Sequence, residues 1–220
     1  MTIKERLRPL PGVRQISLLR QRIAYTDSTN FWEGNYAQGR TSGTGSYGAL
    51  AERKSRFLND LVRQRGFSSI IEFGCGDGNQ LSLADYPSYI GLDVSRTAIG
   101  LCQRRFARDS GKSFFLYNGG CFSDRAGVFT ADLALSLDVI YHLTEDAVFE
   151  TYLRHLFAAG RRTVVVYSSN MQLRGTAPHV RHRHFTPWVE ANCPGWVLTG
   201  VTPGPSAERA RADFFVYDRA

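Results

Sequence analysis
Apolar side chains fall on one face at helical spacing across 49–65, through Leu50, Phe57, Leu58, Leu61 and Val62, and Gly66 follows as a natural stop. After Gly66 the rhythm changes, and short apolar runs bounded by turn residues alternate with stretches that return to the helical period. That alternation predicts strands at about 69–73, 88–93, 113–117, 132–138 and 162–168, with helices at about 79–84, 96–108, 145–159 and 186–192. Thr144-Glu145-Asp146 offers the helix carrying Val148, Leu153 and Leu156 a hydroxyl cap and an acidic first turn. Two further apolar runs, at 196–201 and 213–217, flank Pro203-Gly204-Pro205 and predict a hairpin. Strands and helices in strict alternation mean an α/β domain with a mostly parallel sheet, and the hairpin adds an antiparallel strand at its end.

Two strand ends carry the chemistry. Ile70-Ile71-Glu72-Phe73 runs straight into Gly74-Cys75-Gly76-Asp77-Gly78-Asn79-Gln80, so a strand stops at closely spaced glycines that let backbone approach a ligand. The spacing is G-x-G-x-G; the dinucleotide fingerprint would need a glycine at Asn79, and no Lys-Ser or Lys-Thr pair follows to cradle a triphosphate. Tyr89-Ile90-Gly91-Leu92-Asp93-Val94-Ser95 is a second short strand that ends in an acid. In an open parallel sheet both ends face one crevice, where the Asp93 carboxylate can accept hydrogen bonds from two ribose hydroxyls.

E-F-G-C-G-D-G, then G-L-D-V-S, then Asp132-Leu133-Ala134-Leu135-Ser136-Leu137-Asp138-Val139-Ile140-Tyr141-His142-Leu143 resembles, in the same order, the class I S-adenosylmethionine-dependent methyltransferases. The likeness is specific from about residue 67 to 168 and weaker through the final hairpin, and Phe31 to Tyr36 with Ser42 to Gly48 looks like a bacterial subset of unassigned substrate. It implies a single Rossmann-like domain with a seven-stranded sheet over 49–220, preceded at 1–48 by an N-terminal helix and lid segment. It also implies S-adenosylmethionine as cofactor and S-adenosylhomocysteine as product. By the same resemblance, Glu72, Gly74, Cys75, Gly76, Asp77 and Gly78 shape the methionine pocket, Asp93 holds the ribose, and Val94 and Ser95 flank the adenosine. Leu137, Asp138 and Val139 lie at the end of the fourth strand, and Tyr36 and Tyr47 close over the methionine end. Where the family often has an acid for the adenine amino group this chain has Asn118, whose amide oxygen accepts without charge, with Gly119 and the backbone beside it.

With 220 residues, 43 % of them hydrophobic, the chain has material for one full core, and no internal linker divides it. No apolar run approaches a membrane span, and Lys4, Arg6, Arg8 and Arg14 precede no apolar signal segment, so a cytoplasmic location is expected. Cys75, Cys102, Cys121 and Cys193 lack C-x-x-C spacing and read as reduced thiols, not as a disulfide frame or zinc site. The net charge of +7 comes almost wholly from arginines spread along the chain, which argues against a nucleic-acid partner; a small-molecule acceptor is expected, with the protein a monomer or homodimer.

Methyl transfer from a sulfonium is mostly alignment, with a base needed where the acceptor carries a proton. Tyr141 and His142, just past the fourth strand, are the first candidates for proton handling, the plainer reading of His142 being a packed ring under the cofactor. The run His179-Val180-Arg181-His182-Arg183-His184 is the second: its arginines suit an anionic acceptor, His182 or His184 suits a base, and a solvated basic loop or a metal site are the alternatives. No metal is expected. The expected reaction is methylation of an oxygen or nitrogen of a small polar metabolite, a sugar-containing or natural-product intermediate; RNA methylation and a non-catalytic cofactor-binding partner are the alternatives. In 25–48, aromatic Trp32, Tyr36 and Tyr47 among mobile Gly43, Gly45 and Gly48 predict a lid, or else a segment packed permanently on the sheet edge.

Overall fold
A computed structural model describes residues 25–174, 177–204 and 212–220. Residues 1–24, where the basic N-terminus and half of the expected N-terminal segment fall, lie outside the described residues, as does Pro205 of the expected hairpin turn. A seven-stranded sheet runs through the molecule in the order β3 (Lys112–Leu116), β2 (Tyr89–Asp93), β1 (Ile70–Phe73), β4 (Ala131–Leu137), β5 (Gly160–Ser168), β9 (Asp213–Arg219), β8 (Trp196–Thr202). The first five strands are parallel, and β9 is antiparallel to both β5 and β8. The central strands are buried on both faces, as a sheet covered by helices requires, and two apolar clusters, one on each face, hold it.

Helices α1 (Ser28–Ala37), α2 (Gly48–Arg65), α3 (Arg96–Arg105), α4 (Asp146–Ala159) and α5 (Thr186–Asn192) follow in chain order. The stop at Gly66 is as expected: it sits at φ 60° and closes α2 with bonds to the Val62 and Arg63 carbonyls. Two expectations need correction, and one element is new. The helix at 79–84 is only a 3-10 turn at Leu81–Leu83, because the Ser82 hydroxyl bonds the Asn79 carbonyl and the chain turns away within a few residues. Thr144 does not cap α4; its hydroxyl bonds Tyr25 and Glu145, and Glu145 stands at the cap position without a side-chain bond to the helix. The loop after β5 contains a short hairpin, β6 (Leu173–Arg174) with β7 (Arg181–His182), that periodicity cannot detect at two residues per strand.

Candidate functional site
Parallel pairing sets Phe73 beside Leu92, so the chain beyond β1 and the end of β2 open into one crevice, and β4 delivers Leu137 and Asp138 on the other side of β1. Gly74 takes φ 86°, where a side chain is strained, and a Cβ there would stand 2.4 Å from a methyl of Val139. Gly76 takes φ 58°, and its Cβ would meet the Ser42 hydroxyl at 2.4 Å. These two glycines therefore let β4 and the 25–48 segment close directly onto the loop.

The result is a cavity of about 620 Å³, in the range of pockets that enclose small ligands. Glu72, Gly74, Cys75, Gly76, Asp77, Asp93, Val94, Asn118, Gly119, Leu137, Asp138, Val139, Tyr36 and His142 all line it. Asp93 is buried, and each of its oxygens accepts one backbone N–H, from Gly76 at 2.9 Å and from Ser95 at 2.8 Å. Burial pushes its carboxyl up to about 6 against those bonds, so it is ionised at neutral pH and keeps lone pairs for further donors. Asp77 accepts the Ser42 N–H and the Tyr47 hydroxyl, both at 2.9 Å, which ties the 25–48 segment to the glycine loop. Glu72 turns the other way: Tyr89 donates to it at 2.6 Å, and full burial lifts its carboxyl to about 7.

Other expected residues stand behind the wall. Ser95 caps α3 and donates to Glu33; Gly78 packs against Phe106 and Cys102; Tyr47 reaches the site only through Asp77. None of these three borders the cavity. Tyr141 donates to Asp138 at 2.8 Å, and His182 bonds the Ser169 hydroxyl at 2.7 Å. His184 is exposed and, like Tyr141 and His182, does not line the cavity. Arg181 and Arg183 both pair with Asp146 and donate to carbonyls of the turn before α4, and neither lines the cavity.

His142 is the member of its cluster on the wall. Its Nδ1 lies 3.0 Å from the His179 carbonyl, which can only accept, so the proton is on Nδ1 and Nε2 carries a lone pair. Burial holds the ring far below the usual imidazole range, at about 4, and therefore neutral. Trp32 meets it edge-on at 4.9 Å, and Phe31 stacks on His179 at 4.1 Å, so α1 is joined to both histidines.

Sequence reasoning missed several contributors. Lys54 is 1 % exposed and reaches Asp138 at 2.6 Å from the inner face of α2. Its signal was its place between Ala51 and Leu58, on the apolar face of the helix. Gln80 lines the cavity, donates to the Ala51 carbonyl and the Ser55 hydroxyl, and has an Oε1 with no partner among the described residues. Tyr117, Val148, Thr151 and Tyr152 add the wall beyond β3, Tyr152 bridging the Phe73 carbonyl and the Ser136 hydroxyl at 2.9 and 2.7 Å.

Strand order, the glycine loop after β1 and the antiparallel end of the sheet define the class I methyltransferase fold. The N-methyltransferase NodS of Bradyrhizobium japonicum WM9, solved with S-adenosylhomocysteine, superposes with a TM-score of 0.71 at 16 % identity, over 88 % of this chain and 99 % of that one. The methyltransferase domain of bacterial CtHen1-C superposes at 0.63 and 20 % identity, over 77 % of this chain and 98 % of that one. In sequence, 112 residues are 28 % identical to the small RNA 2'-O-methyltransferase of Arabidopsis thaliana, covering 46 % of this chain and only 12 % of that protein's length. No protein-family model matches the chain.

Proposed function
We propose that this protein is an S-adenosylmethionine-dependent methyltransferase acting on an oxygen or nitrogen of a small polar metabolite. The observation that carries the reading is one crevice joining a backbone cradle at Gly74–Gly76, the ionised Asp93 and a neutral His142 with its Nε2 lone pair. The residues fit the cofactor. Asp93 is placed for ribose hydroxyls; the orphaned Gln80 Oε1 and the uncompensated Asp77 suit the ammonium and sulfonium charges of the methionine part; Val94, Val148 and Thr151 offer walls to the adenine beside Asn118 and Gly119. When bound, the cofactor supplies a methyl carbon already activated by positive sulfur.

The chain's own residues then position and shield. His142, its tautomer fixed by the His179 carbonyl, accepts the proton of an acceptor through Nε2. Segment 25–48 acts as the lid on a 49–220 binding domain. Three sets of bonds support this reading: Ser28 N–H to Glu145, Glu33 to Ser95 and Thr97, and Ser42 to Asp77. Tyr36 lies under it with its hydroxyl on Ser42. Among the described residues no helix is long and apolar enough to cross a membrane.

The second reading, methylation of RNA, is favoured by the similarity to the plant small RNA enzyme and to CtHen1. One experiment separates the readings: formation of S-adenosylhomocysteine with a panel of hydroxylated and amino metabolites and with single- and double-stranded oligonucleotides. Turnover with metabolites alone supports the proposal; turnover with RNA, with steeply salt-dependent binding, replaces it by the second reading. Tight cofactor binding with no turnover on any arm assigns a non-catalytic role.

A further inference from the structure
Four carboxylates line the cavity, and they divide by what neutralises them. Asp77 and Asp93 are held only by neutral donors and lie at the glycine loop; Glu72 is turned into the core towards Tyr89. Asp138, beside His142, is the one in a direct ion pair: Lys54, whose charge also acts on Glu72, stands at 2.6 Å from one oxygen, with the Tyr141 hydroxyl at 2.8 Å on the other. Asp138 is also the sole non-glycine residue with positive φ among the described residues, at 59°, a strained conformation that these two side-chain bonds and its own N–H to the Tyr167 carbonyl hold in place. Lys54 is in turn 5.2 Å from the centre of the Tyr167 ring, so its position is fixed from two sides. A lysine sealed inside the protein is unfavourable unless paired, and here its charge cancels one carboxylate of the cavity wall.

We infer that this end of the cavity is built for an uncharged, hydroxyl-bearing acceptor, and that Lys54 is the positioning residue that excludes cationic amines by neutralising Asp138. The inference rests on the methyltransferase reading and decides between the oxygen and nitrogen that it leaves open. With Asp138 paired, the groups facing an acceptor are the Nε2 lone pair of His142, the Trp32 ring and a neutral ion pair. None of them carries a net negative charge to hold an ammonium, and the Trp32 face offers only the weaker attraction of a ring quadrupole. A protonated amine also has no lone pair to give. A hydroxyl has one: its oxygen forms the new bond to the methyl carbon, the carbon–sulfur pair stays with sulfur, and the proton, acidified as that bond forms, passes to Nε2 and then to solvent. A weak base suffices for a proton released so late.

The test uses full-length protein saturated with S-adenosylhomocysteine and two probes of one shape, benzyl alcohol and benzylamine, the latter cationic at pH 7. Binding is followed by NMR at the Trp32 indole and the His142 ring. Benzyl alcohol should bind at least about tenfold more tightly, and Lys54→Met should erase or invert that ratio by exposing the Asp138 charge. The double variant Lys54→Met/Asp138→Asn, which removes both charges, should restore the preference for the alcohol. A wild-type preference for benzylamine, equal binding, or no binding of either probe in the millimolar range overturns the inference, and the wild-type ratio alone decides it if Lys54→Met does not fold. Failure to bind S-adenosylhomocysteine overturns the methyltransferase reading instead, so the two failures are distinct.

Discussion

Individual side chains in this site owe their chemistry to neighbours distant in sequence. Glu72 has its carboxyl raised from 4.5 to about 7 by burial. Between those values the unfolded chain loses the proton and the folded protein keeps it, so Glu72 lowers stability progressively as pH rises from 4.5 to 7 and its penalty is complete above 7. Glu72→Gln should therefore leave stability near pH 4 unchanged and raise it at pH 8 by about 3 kcal/mol, read from urea unfolding at the two pH values. Asp93, raised to about 6, sets a different limit: as pH falls through 6 it protonates and gives up one charge-assisted acceptor, so affinity for S-adenosylhomocysteine should drop by about three- to tenfold between pH 7 and 5 in calorimetry. Unchanged affinity would remove Asp93 from the ribose contact. His142→Ala should cost turnover about a hundredfold while cofactor affinity stays within about twofold. A parallel loss of affinity would make the ring a packing element only.

Among the elements, α1 is the one that joins the two halves of the site. Glu33 accepts from the Ser95 and Thr97 hydroxyls, both at 2.6 Å, at the N-terminus of α3, a position that favours a carboxylate. At its other end the Ser28 N–H reaches Glu145 at 2.8 Å, beside the start of α4. On the proposed lid reading, a helix tied across the crevice in this way releases before the cofactor leaves. Glu33→Ala should speed dissociation of S-adenosylhomocysteine about tenfold, as seen in stopped-flow tryptophan fluorescence, with little change in thermal stability. Little of this was legible beforehand. The aromatic, glycine-rich composition of 25–48 marked a covering segment, but α1 has too weak an apolar face to be placed by periodicity, and nothing local to Glu33 points to α3. The β4 to α4 turn shows the opposite balance: the strand and the residues Asp138 to His142 were readable, while the left-handed Asp138 that shapes the turn was not.

For the molecule as a whole, ligand binding and folding share one crevice. Because the cavity is walled by β1, β2, β4, α1 and the stretch holding Ser42 and Ser46 together, its ligand should stabilise all of them at once. S-adenosylhomocysteine at about 100 times its Kd should add about 2.7 kcal/mol, visible as a single cooperative transition moved up by several degrees. Two transitions would mean that the lid melts independently of the sheet.

The sequence alone determined the sheet's helix–strand alternation, the glycine loop and the carboxylate at the end of β2, because periodicity and backbone-permissive residues are local properties that each strand end carries with it. Only the tertiary structure decided which nitrogen of His142 bears the proton, that Arg181 and Arg183 pair with Asp146, and that Lys54 pairs with Asp138 across 84 positions. Charge state and tautomer depend on what lies within a few ångströms, and that is set by packing, not by order along the chain.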